Sequence, residues 1–381
     1  MKIAFLTSEY PHPKARFAAG IGTSIMNLSK GIVEQGHEVV IILHGQDKDE
    51  SFNDDGITFH KIKNIKIKGL SRILTQKKIQ RKINELVDKG EIDLVEIPDW
   101  IGFSSTMRLK CPLVIKLHGS DTYFCHLDQR PVKFLNKLRE KLALKRANAW
   151  LSVSQFTATI TKQIFDLKND FTVIPNCIDL QKFSIDDTQN ESQHNTILYF
   201  GTLIRKKGLL ELPLIFNEVY KHNSNAKLIL IGHDASDVIT GNTSTWQMMQ
   251  KLFDEQAFQN VSYLGSVTYD QIKAHINAST VCVFPTFAEA LPVSWIEAMA
   301  MQKAIVASNI GWATELIDDN VNGFLVHPKD HSPFAQRIIT LLENESLRKQ
   351  FGSNARAKVV QQFSIEVVAK QSIDFYKTVL C

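Results

Sequence analysis

Short apolar runs alternate with segments of helical spacing along the whole chain. The first run, residues 2–7, leads through a Pro- and Gly-rich loop to a helical pattern at 24–35, and the next apolar run is 37–43. This alternation predicts parallel sheets covered by helices on both faces. The remaining predicted strands are 57–62, 92–97, 113–118, 150–153, 171–174, 196–200, 227–232, 261–264, 280–284, 304–308 and 324–326.

A polar stretch divides this pattern into two halves. Residues 184–195 have no hydrophobic periodicity and are typical of a surface linker. At 381 residues two domains are expected. We therefore predict an N-terminal domain at 1–183 and a C-terminal domain at 196–364. The helical tail is broken near 363–364, and we expect its last part, 365–381, to pack back onto the first domain.

Composition excludes several classes of protein. The net charge of +4 is mild, so no nucleic-acid partner is implied. The five cysteines contain no CxxC pair, which predicts neither a zinc site nor a disulfide framework and fits the reducing cytoplasm. The N-terminal apolar run is too short for a signal peptide, and no run reaches the roughly 18 apolar residues of a membrane span.

The stretch 280–300 combines a strand, a loop and a helix start. Pro285 ends the apolar run, Glu289 lies in the loop, and a helical pattern that contains Glu297 begins near Pro292. A loop that leads from a strand to a helix N-terminus can bind anions, because the first backbone N–H groups of a helix lack partners within it. The alternative for each glutamate is an ordinary surface carboxylate.

Two further strand ends carry polar side chains, and a third carries glycines. Arg205, Lys206 and Lys207 follow the first strand of the second half, where they could clamp a diphosphate or form a solvated turn. His118 and Asp121 follow a strand of the first half, although a lone His or Asp is usually structural. Glycines after the first strand let backbone approach a phosphate or form a simple turn; they are Gly20 and Gly22.

Taken in order, these segments resemble a known family. The chain is similar to family 4 of the retaining glycosyltransferases (glycosyl transferases group 1) from about residue 2 to 328. The family has the α/β GT-B fold, with two Rossmann-like doubly wound domains facing across a cleft. The motifs are Gly20-x-Gly22, His118-Gly119, Val153-Ser154, Ile174-Pro-Asn-Cys-Ile-Asp179, Gly201-x-Leu203-x-x-x-Lys207-Gly208, Glu289-x7-Glu297-Ala-Met-Ala, Gly311-x-x-x-Glu315 and Asn322-Gly323-Phe324-Leu325-Val326.

The resemblance implies transfer of a hexose-type sugar from a UDP- or GDP-sugar to a glycan or lipid-linked acceptor, in the synthesis of surface polysaccharide, lipopolysaccharide or glycolipid. The C-terminal domain would bind the donor and the N-terminal domain the acceptor. The implied catalytic residues are His118, near the 6-position of the donor sugar, Lys207 on the diphosphate and Glu289 on the sugar hydroxyls. The implied donor-binding residues are Gly20, Gly22, Arg205, Ala290, Leu291, Pro292, Val293 and Glu297. Of these, Glu297 would hold the ribose. Asp121 would lie on the acceptor side.

The chain departs from the family pattern at two positions. Thr202 stands where the family usually has Arg, and Arg205 is the candidate to replace that charge; Ala290 stands where Gly is common. A non-catalytic nucleotide-sugar-binding subunit is therefore the alternative function. No convincing Asp-x-Asp pair follows a strand, so neither a metal nor another cofactor is expected. An oxidoreductase is disfavoured by the lack of GxGxxG.

Two basic stretches are interleaved with apolar residues, at 61–87 and 133–146. No acidic residue occurs between Asp55 and Glu85. Basic amphipathic helices can lie on anionic lipid surfaces, so we predict a cytoplasmic protein that is peripheral on the inner face of the membrane. The alternatives are ordinary exposed helices or a site for an anionic acceptor.

Overall fold

A computed structural model describes residues 1–183 and 195–381. Except for Asn195, the predicted linker lies outside these described residues. Contacts between Cα atoms divide the chain into two compact units. Unit 1 contains Met1–Ile178 and Phe363–Cys381, and unit 2 contains Asp179–Gln362. The first boundary falls slightly before the predicted position 183, and the last helix of the chain belongs to unit 1.

Unit 1 is built on one mostly parallel sheet. Its strands are β1 (Lys2–Thr7), β2 (Glu38–Gln46), β3 (Glu50–Asp54), β4 (Ile57–Lys63), β5 (Leu94–Pro98), β6 (Leu113–Leu117), β7 (Ala149–Ser152) and β8 (Thr172–Val173). They are ordered β3-β4-β2-β1-β5-β6-β7-β8, and only β3 pairs antiparallel. The sequence analysis missed β3, because this edge strand has a single apolar residue, Phe52, and no hydrophobic pattern.

Helices cover both faces of this sheet. Alternation along β1 sends Ile3 and Phe5 into a core that includes residues of the first helix and of the last helix of the chain. Ala4 and Leu6 point to the other face, into a core shared with the second helix. The first five helices are α1 (Gly20–Glu34), α2 (Ser71–Asp88), α3 (Asp121–Leu127), α4 (Phe134–Arg146) and α5 (Gln155–Phe165).

Unit 2 has a second, fully parallel sheet. Its strands are β9 (Thr196–Phe200), β10 (Lys227–Ile231), β11 (Val261–Tyr263), β12 (Val281–Phe284), β13 (Ile305–Ser308) and β14 (Phe324–Val326). They are ordered β11-β10-β9-β12-β13-β14. The strand order reverses between β9 and β12, and in doubly wound folds ligands bind beyond the carboxyl ends of the strands at such a switch point.

The remaining helices complete both units. They are α6 (Leu212–His222), α7 (Thr245–Gln250), α8 (Glu255–Phe258), α9 (Tyr269–Ala278), α10 (Val293–Ala300), α11 (Ala313–Leu316), α12 (His331–Glu343), α13 (Glu345–Gln362) and α14 (Ile365–Leu380). The break between α13 and α14 falls at the predicted position, and α14 packs on α1. The prediction of two Rossmann-like α/β domains is confirmed. Across the described residues, the helices are all too short or too polar to span a bilayer.

Candidate functional site

The loops that follow β9 and β12 are joined to each other at the switch point of unit 2. The backbone N–H groups of Phe287 and Ala288 donate to the carbonyl oxygen of Lys206, at 2.8 and 3.1 Å. Gly208 closes the β9 loop with φ +74°, and an added Cβ there would lie 1.7 Å from the carbonyl oxygen of Pro285. Only glycine allows this approach, which brings Lys207 beside the β12 loop.

Lys207 and Glu289 form an ion pair in this loop junction. The Lys207 Nζ lies 2.8 Å from Oε1 of Glu289, and both side chains are mostly buried. Burial by itself would raise the pKa of Glu289, but the charges of Lys207 and Lys206 hold this pKa below its usual value. The site therefore holds an ionised carboxylate beside an ammonium group, which suits a ligand with both hydroxyls and phosphates.

The helix α10 begins directly after this pair. Pro292 is its extended N-cap residue, and among the described residues no side chain caps the helix. Ala290 and Leu291 are buried just before it, and Val293 is its first residue. The sequence analysis placed the helix start correctly, and the first turn presents the positive end of the helix dipole next to the ion pair.

Glu297 lies inside α10 and is almost completely buried, with 5% of its surface exposed. Its Oε1 accepts a hydrogen bond from the Tyr269 hydroxyl at 2.8 Å. Burial raises the pKa of Glu297 to about 7, although Tyr269 and Lys207 act in the opposite direction. Tyr269 was missed by the sequence analysis. A capping box formed by Thr268 and Gln271 marks the start of α9, but nothing in the sequence indicated that Tyr269 reaches Glu297.

Arg205 has a partner within its own unit. Its guanidinium donates two hydrogen bonds to Asp237, at 2.8 and 2.7 Å, and Asp237 also accepts from Thr240. The bond from Arg205 is the main reason that the pKa of Asp237 is lowered. To replace the charge missing at Thr202, Arg205 would therefore have to leave this bidentate pair with Asp237.

In unit 1 the strand order reverses between β1 and β5, and a carboxylate follows each of these strands. Glu9, after β1, accepts the backbone N–H of Gly22 at 2.7 Å. The helix α1 starts at Gly20, earlier than the predicted residue 24, because the carboxylate stabilises its first turn. The glycine pattern left two possibilities open at this position, a backbone approach to a phosphate and a simple turn. In the structure a carboxylate of the same chain occupies it, and burial raises the pKa of Glu9.

Asp99, after β5, holds the segment that contains His118. Its Oδ1 accepts the backbone N–H of His118 at 2.9 Å, and burial raises the pKa of Asp99 to about 7. Burial also lowers the pKa of His118 to about 3, so its imidazole is neutral. Acidic residues directly after predicted strands are a sequence signal that would have found both Asp99 and Glu9.

Asp121 begins α3 close to His118 along the chain. Its Oδ2 accepts from Asn136 at 2.9 Å. Its backbone N–H donates to Glu140, as does that of Thr122, at 3.1 and 3.2 Å. A small cavity behind this segment is lined in part by Asp99 and Glu140. Within the described part of the chain, Oδ2 of Asp99 finds no hydrogen-bond partner.

The structure brings together some of the predicted residues of each unit and separates others. In unit 2, Lys207, Glu289 and Glu297 lie with the start of α10, while Arg205 is turned to Asp237. In unit 1, His118 and Asp121 lie near Asp99, and Gly20 and Gly22 form the first turn of α1. No group of three or more metal-ligating side chains occurs in the residues that the structure covers. The expectation of a metal-free site stays a prediction.

Comparisons with known proteins identify the family and the fold. A family model described as glycosyl transferases group 1 matches residues 181–358, and one described as glycosyltransferase family 4 matches residues 18–182. An uncharacterized glycosyltransferase of Methanocaldococcus jannaschii is 26% identical and aligns with 99% of this chain and 98% of its own. The alpha-monoglucosyldiacylglycerol synthase of Acholeplasma laidlawii is 24% identical over 94% of this chain and 93% of its own.

A solved structure gives the same result for the fold. Anabaena HepE, determined in complex with UDP-glucose, superposes with a TM-score of 0.76 at 20% identity, covering 99% of this chain and all of the other. The two α/β units and their strand order are thus those of the GT-B fold. Together with the two family matches, which cover nearly the whole length, this shows that the chain belongs to the family 4 (group 1) glycosyltransferases.

Proposed function

We propose that this glycosyltransferase transfers a hexose-type sugar, with retention of configuration, from a UDP- or GDP-sugar to a glycan or lipid-linked acceptor. The product would be a surface polysaccharide, a lipopolysaccharide or a glycolipid. The observation that carries this proposal is the ion pair of Lys207 and Glu289 at the switch point of unit 2, next to the start of α10. It combines groups for phosphates and for hydroxyls in one place.

Each group has a role in holding the donor. Lys207 and the first N–H groups of α10 bind the diphosphate, because cations and helix N-termini both stabilise phosphate charge. Glu289 accepts hydrogen bonds from the sugar hydroxyls, and Glu297 accepts them from the ribose. The backbone of residues 290–293 contacts the sugar and the phosphates. Unit 1 holds the acceptor.

The reaction needs stabilisation of the leaving diphosphate more than it needs a nucleophile from the protein. The acceptor oxygen bonds to the anomeric carbon from the same face, the bond from that carbon to the diphosphate oxygen breaks, and the acceptor proton passes to that oxygen. Lys207 stabilises the negative charge that develops on the diphosphate, which is usually a large contribution to such a rate. This scheme requires no metal ion, and a chelator should leave turnover unchanged.

Two relatives support the proposal through what their names state. One is named as a synthase of a glucosylated diacylglycerol, and the HepE crystals contain UDP-glucose. The HepE complex favours a uridine nucleotide donor for this chain, and the name of the synthase favours a lipid acceptor. The buried cysteines, Cys111, Cys125, Cys177 and Cys282, are all free thiols, which fits a reaction in the reducing cytoplasm.

The alternative is a non-catalytic subunit that binds a nucleotide sugar. Thr202 and the Arg205–Asp237 pair favour it, because both reduce the positive charge available to a diphosphate. Thermal-shift measurements with UDP, GDP, ADP and their sugars identify the nucleotide for either function. The nucleotide sugar that raises Tm is then incubated with an acceptor mixture. Release of nucleoside diphosphate indicates a transferase, and its absence indicates a non-catalytic subunit.

The decisive comparison is between two lysine variants. Lys207→Ala should lower kcat by about 100-fold or more, whereas Lys329→Ala, at an exposed surface position, should leave it unchanged. Equal turnover by both variants and the wild type would refute the role of Lys207. Donor binding without any turnover by the wild type would favour the alternative.

A further inference from the structure

The outward face of α4 is apolar although it covers no core. Phe134 is 77% exposed and Leu138 is 41% exposed, and Leu135 and Leu142 are exposed beside them. These four residues recur at a spacing of three and four, so they form one stripe along the helix. The opposite face, with Ala143 and Leu144, is the buried one. The stripe therefore contributes nothing to the core of unit 1.

A second exposed apolar group lies beside this stripe. Ile67, Leu70 and Ile73 at the start of α2 are exposed, and so is Trp100 in the turn after β5. The turn is tied to both helices. The guanidinium of Arg72 donates to the carbonyl oxygens of Ile101 and Gly102, at 2.7 and 3.1 Å.

The same turn is pressed against α4. A Cβ added at Gly102 would lie 2.4 Å from the backbone of Arg139. The two helices and the turn thus form one continuous surface, which we call the docking face. It consists of Ile67, Leu70, Ile73, Trp100, Phe134, Leu135, Leu138 and Leu142.

The exposed charges within the two segments 56–84 and 133–146, which carry most of the docking face, are all positive. No acidic residue occurs between Asp55 and Glu85, and the single one in 133–146, Glu140, is buried with 2% exposure. The exposed lysines that surround the face are Lys66, Lys68, Lys77, Lys133, Lys137 and Lys145. An apolar surface whose two main segments expose lysines and no carboxylate matches an anionic, partly apolar partner.

The structure also narrows the predicted membrane segment 61–87. Lys61 is buried and paired with Glu50 and Asp47, and Ile83 and Leu86 belong to the core. The exposed apolar residues of this segment lie only at the start of α2 and just before it. The prediction was too long, because helical spacing alone does not distinguish a face that packs on the sheet from one that faces outward.

We propose that the docking face binds the surface of an anionic phospholipid bilayer. The aromatic and aliphatic side chains insert at the boundary between headgroups and acyl chains, and the lysines pair with lipid phosphates. A second copy of this chain is a poor occupant, because two such faces would bring like charges together. This inference goes beyond the proposed function, since it does not depend on which sugar is transferred.

Flotation with lipid vesicles tests the proposal. Wild-type protein should float at low salt with vesicles of phosphatidylcholine and phosphatidylglycerol, but not with phosphatidylcholine alone, and high salt should reduce binding. Leu138→Ser should weaken binding, whereas Val360→Ser should not, because Val360 has a similar exposure of 44% but lies on α13. Circular dichroism and thermal unfolding check that the variants are folded.

Two double variants test the contribution of the lysines. Lys133→Gln with Lys137→Gln should weaken binding by about fivefold for each cation removed. Lys168→Gln with Lys370→Gln, which changes exposed lysines elsewhere in unit 1, should change it little. The proposal is overturned if the wild type does not float with anionic vesicles or if both pairs behave alike. A wild-type dimer that Leu138→Ser dissociates would also overturn it.

Discussion

The Nζ of Lys207 lies 2.8 Å from Oε1 of Glu289, and this pair joins the loops after β9 and β12. Lys207→Met removes the cation that keeps the pKa of Glu289 below its usual value. A carboxylate with a lowered pKa stabilises the fold above its unfolded pKa, and this contribution disappears as pH falls through the folded pKa. The variant should therefore lose about 1–3 kcal/mol near pH 7.

Thermal unfolding over a pH series measures this loss. The difference in Tm between wild type and Lys207→Met should shrink as pH falls through the lowered pKa of Glu289 in the wild type, where its carboxylate becomes protonated. Lys329→Met is the control and should match the wild type throughout. A difference that is independent of pH would mean that the lysine stabilises the fold by packing alone.

Tyr269→Phe should weaken donor binding without abolishing transfer. The hydroxyl of Tyr269 holds Oε1 of Glu297 at 2.8 Å, and without it the carboxylate loses the hydrogen bond that orients it for its proposed role on the ribose. We expect KM for the donor to rise by about threefold to tenfold, with kcat nearly unchanged. Tyr220→Phe, on α6, is the matched control. A fall in kcat with unchanged KM would contradict a role in donor binding.

Donor affinity should rise with pH through the neutral range. The pKa of Glu297 is raised to about 7 by burial, so its carboxyl is protonated at lower pH, and the ionised form accepts hydrogen bonds more strongly. Titration of the donor sugar between about pH 6 and 8 should give a falling Kd for the wild type and a flat profile for Glu297→Gln. Identical profiles would show that another group titrates.

Asp99→Asn should make the stability of unit 1 less dependent on pH. Because the pKa of Asp99 is raised to about 7, the folded state retains a proton that the unfolded state loses. Wild-type stability therefore falls between about pH 4 and 7, and the full penalty persists at higher pH. Asparagine keeps an acceptor for His118, so Tm of the variant minus that of the wild type should increase over this window.

The free energy of unfolding of the wild type should fall by about 2–4 kcal/mol at most because of Asp99. Asp170→Asn changes an exposed carboxylate of the same unit and should show no such trend. If the Asp99 variant followed the wild-type profile, the buried carboxyl would have to be stabilised as an anion by a bound water or a neighbouring cation.

Arg205→Ala should affect stability more than catalysis. Asp237 is nearly buried, and its bidentate bond to Arg205 is lost in the variant. Leaving a buried carboxylate with fewer partners should cost about 1–3 kcal/mol. We expect kcat to fall much less than in Lys207→Ala. A loss of kcat as large as that of Lys207→Ala would mean that Arg205 leaves Asp237 to meet the diphosphate.

The sequence predicted the fold because the strands of both sheets are buried and strongly apolar, as in β6 and β9. It also predicted the Lys207 and Glu289 loops, because each directly follows such a strand. It missed β3, whose residues are mostly polar and exposed. Side-chain pairing could not be predicted at all: Tyr269 meets Glu297, and Arg205 meets Asp237, across distances in sequence that carry no pattern.

The partners of backbone N–H groups at helix starts could not be predicted either. Glycine spacing left open whether the backbone of Gly22 approaches a phosphate or forms a simple turn, and in the structure its N–H donates to the carboxylate of Glu9. The local sequence pattern indicates which backbone N–H groups lack a partner within their helix. It does not report whether the chain itself or a ligand supplies that partner, because this depends on the tertiary packing around the switch point.

Glu140 of α4 is hydrogen-bonded to the start of α3 in unit 1. Its carboxylate holds the amides at the start of α3, while the same helix carries the exposed stripe from Phe134 to Leu142. A displacement of α4 would therefore change the hydrogen bonds at the start of α3, close to His118 along the chain. If α4 binds a membrane as proposed, binding at the docking face and the geometry beside His118 are coupled.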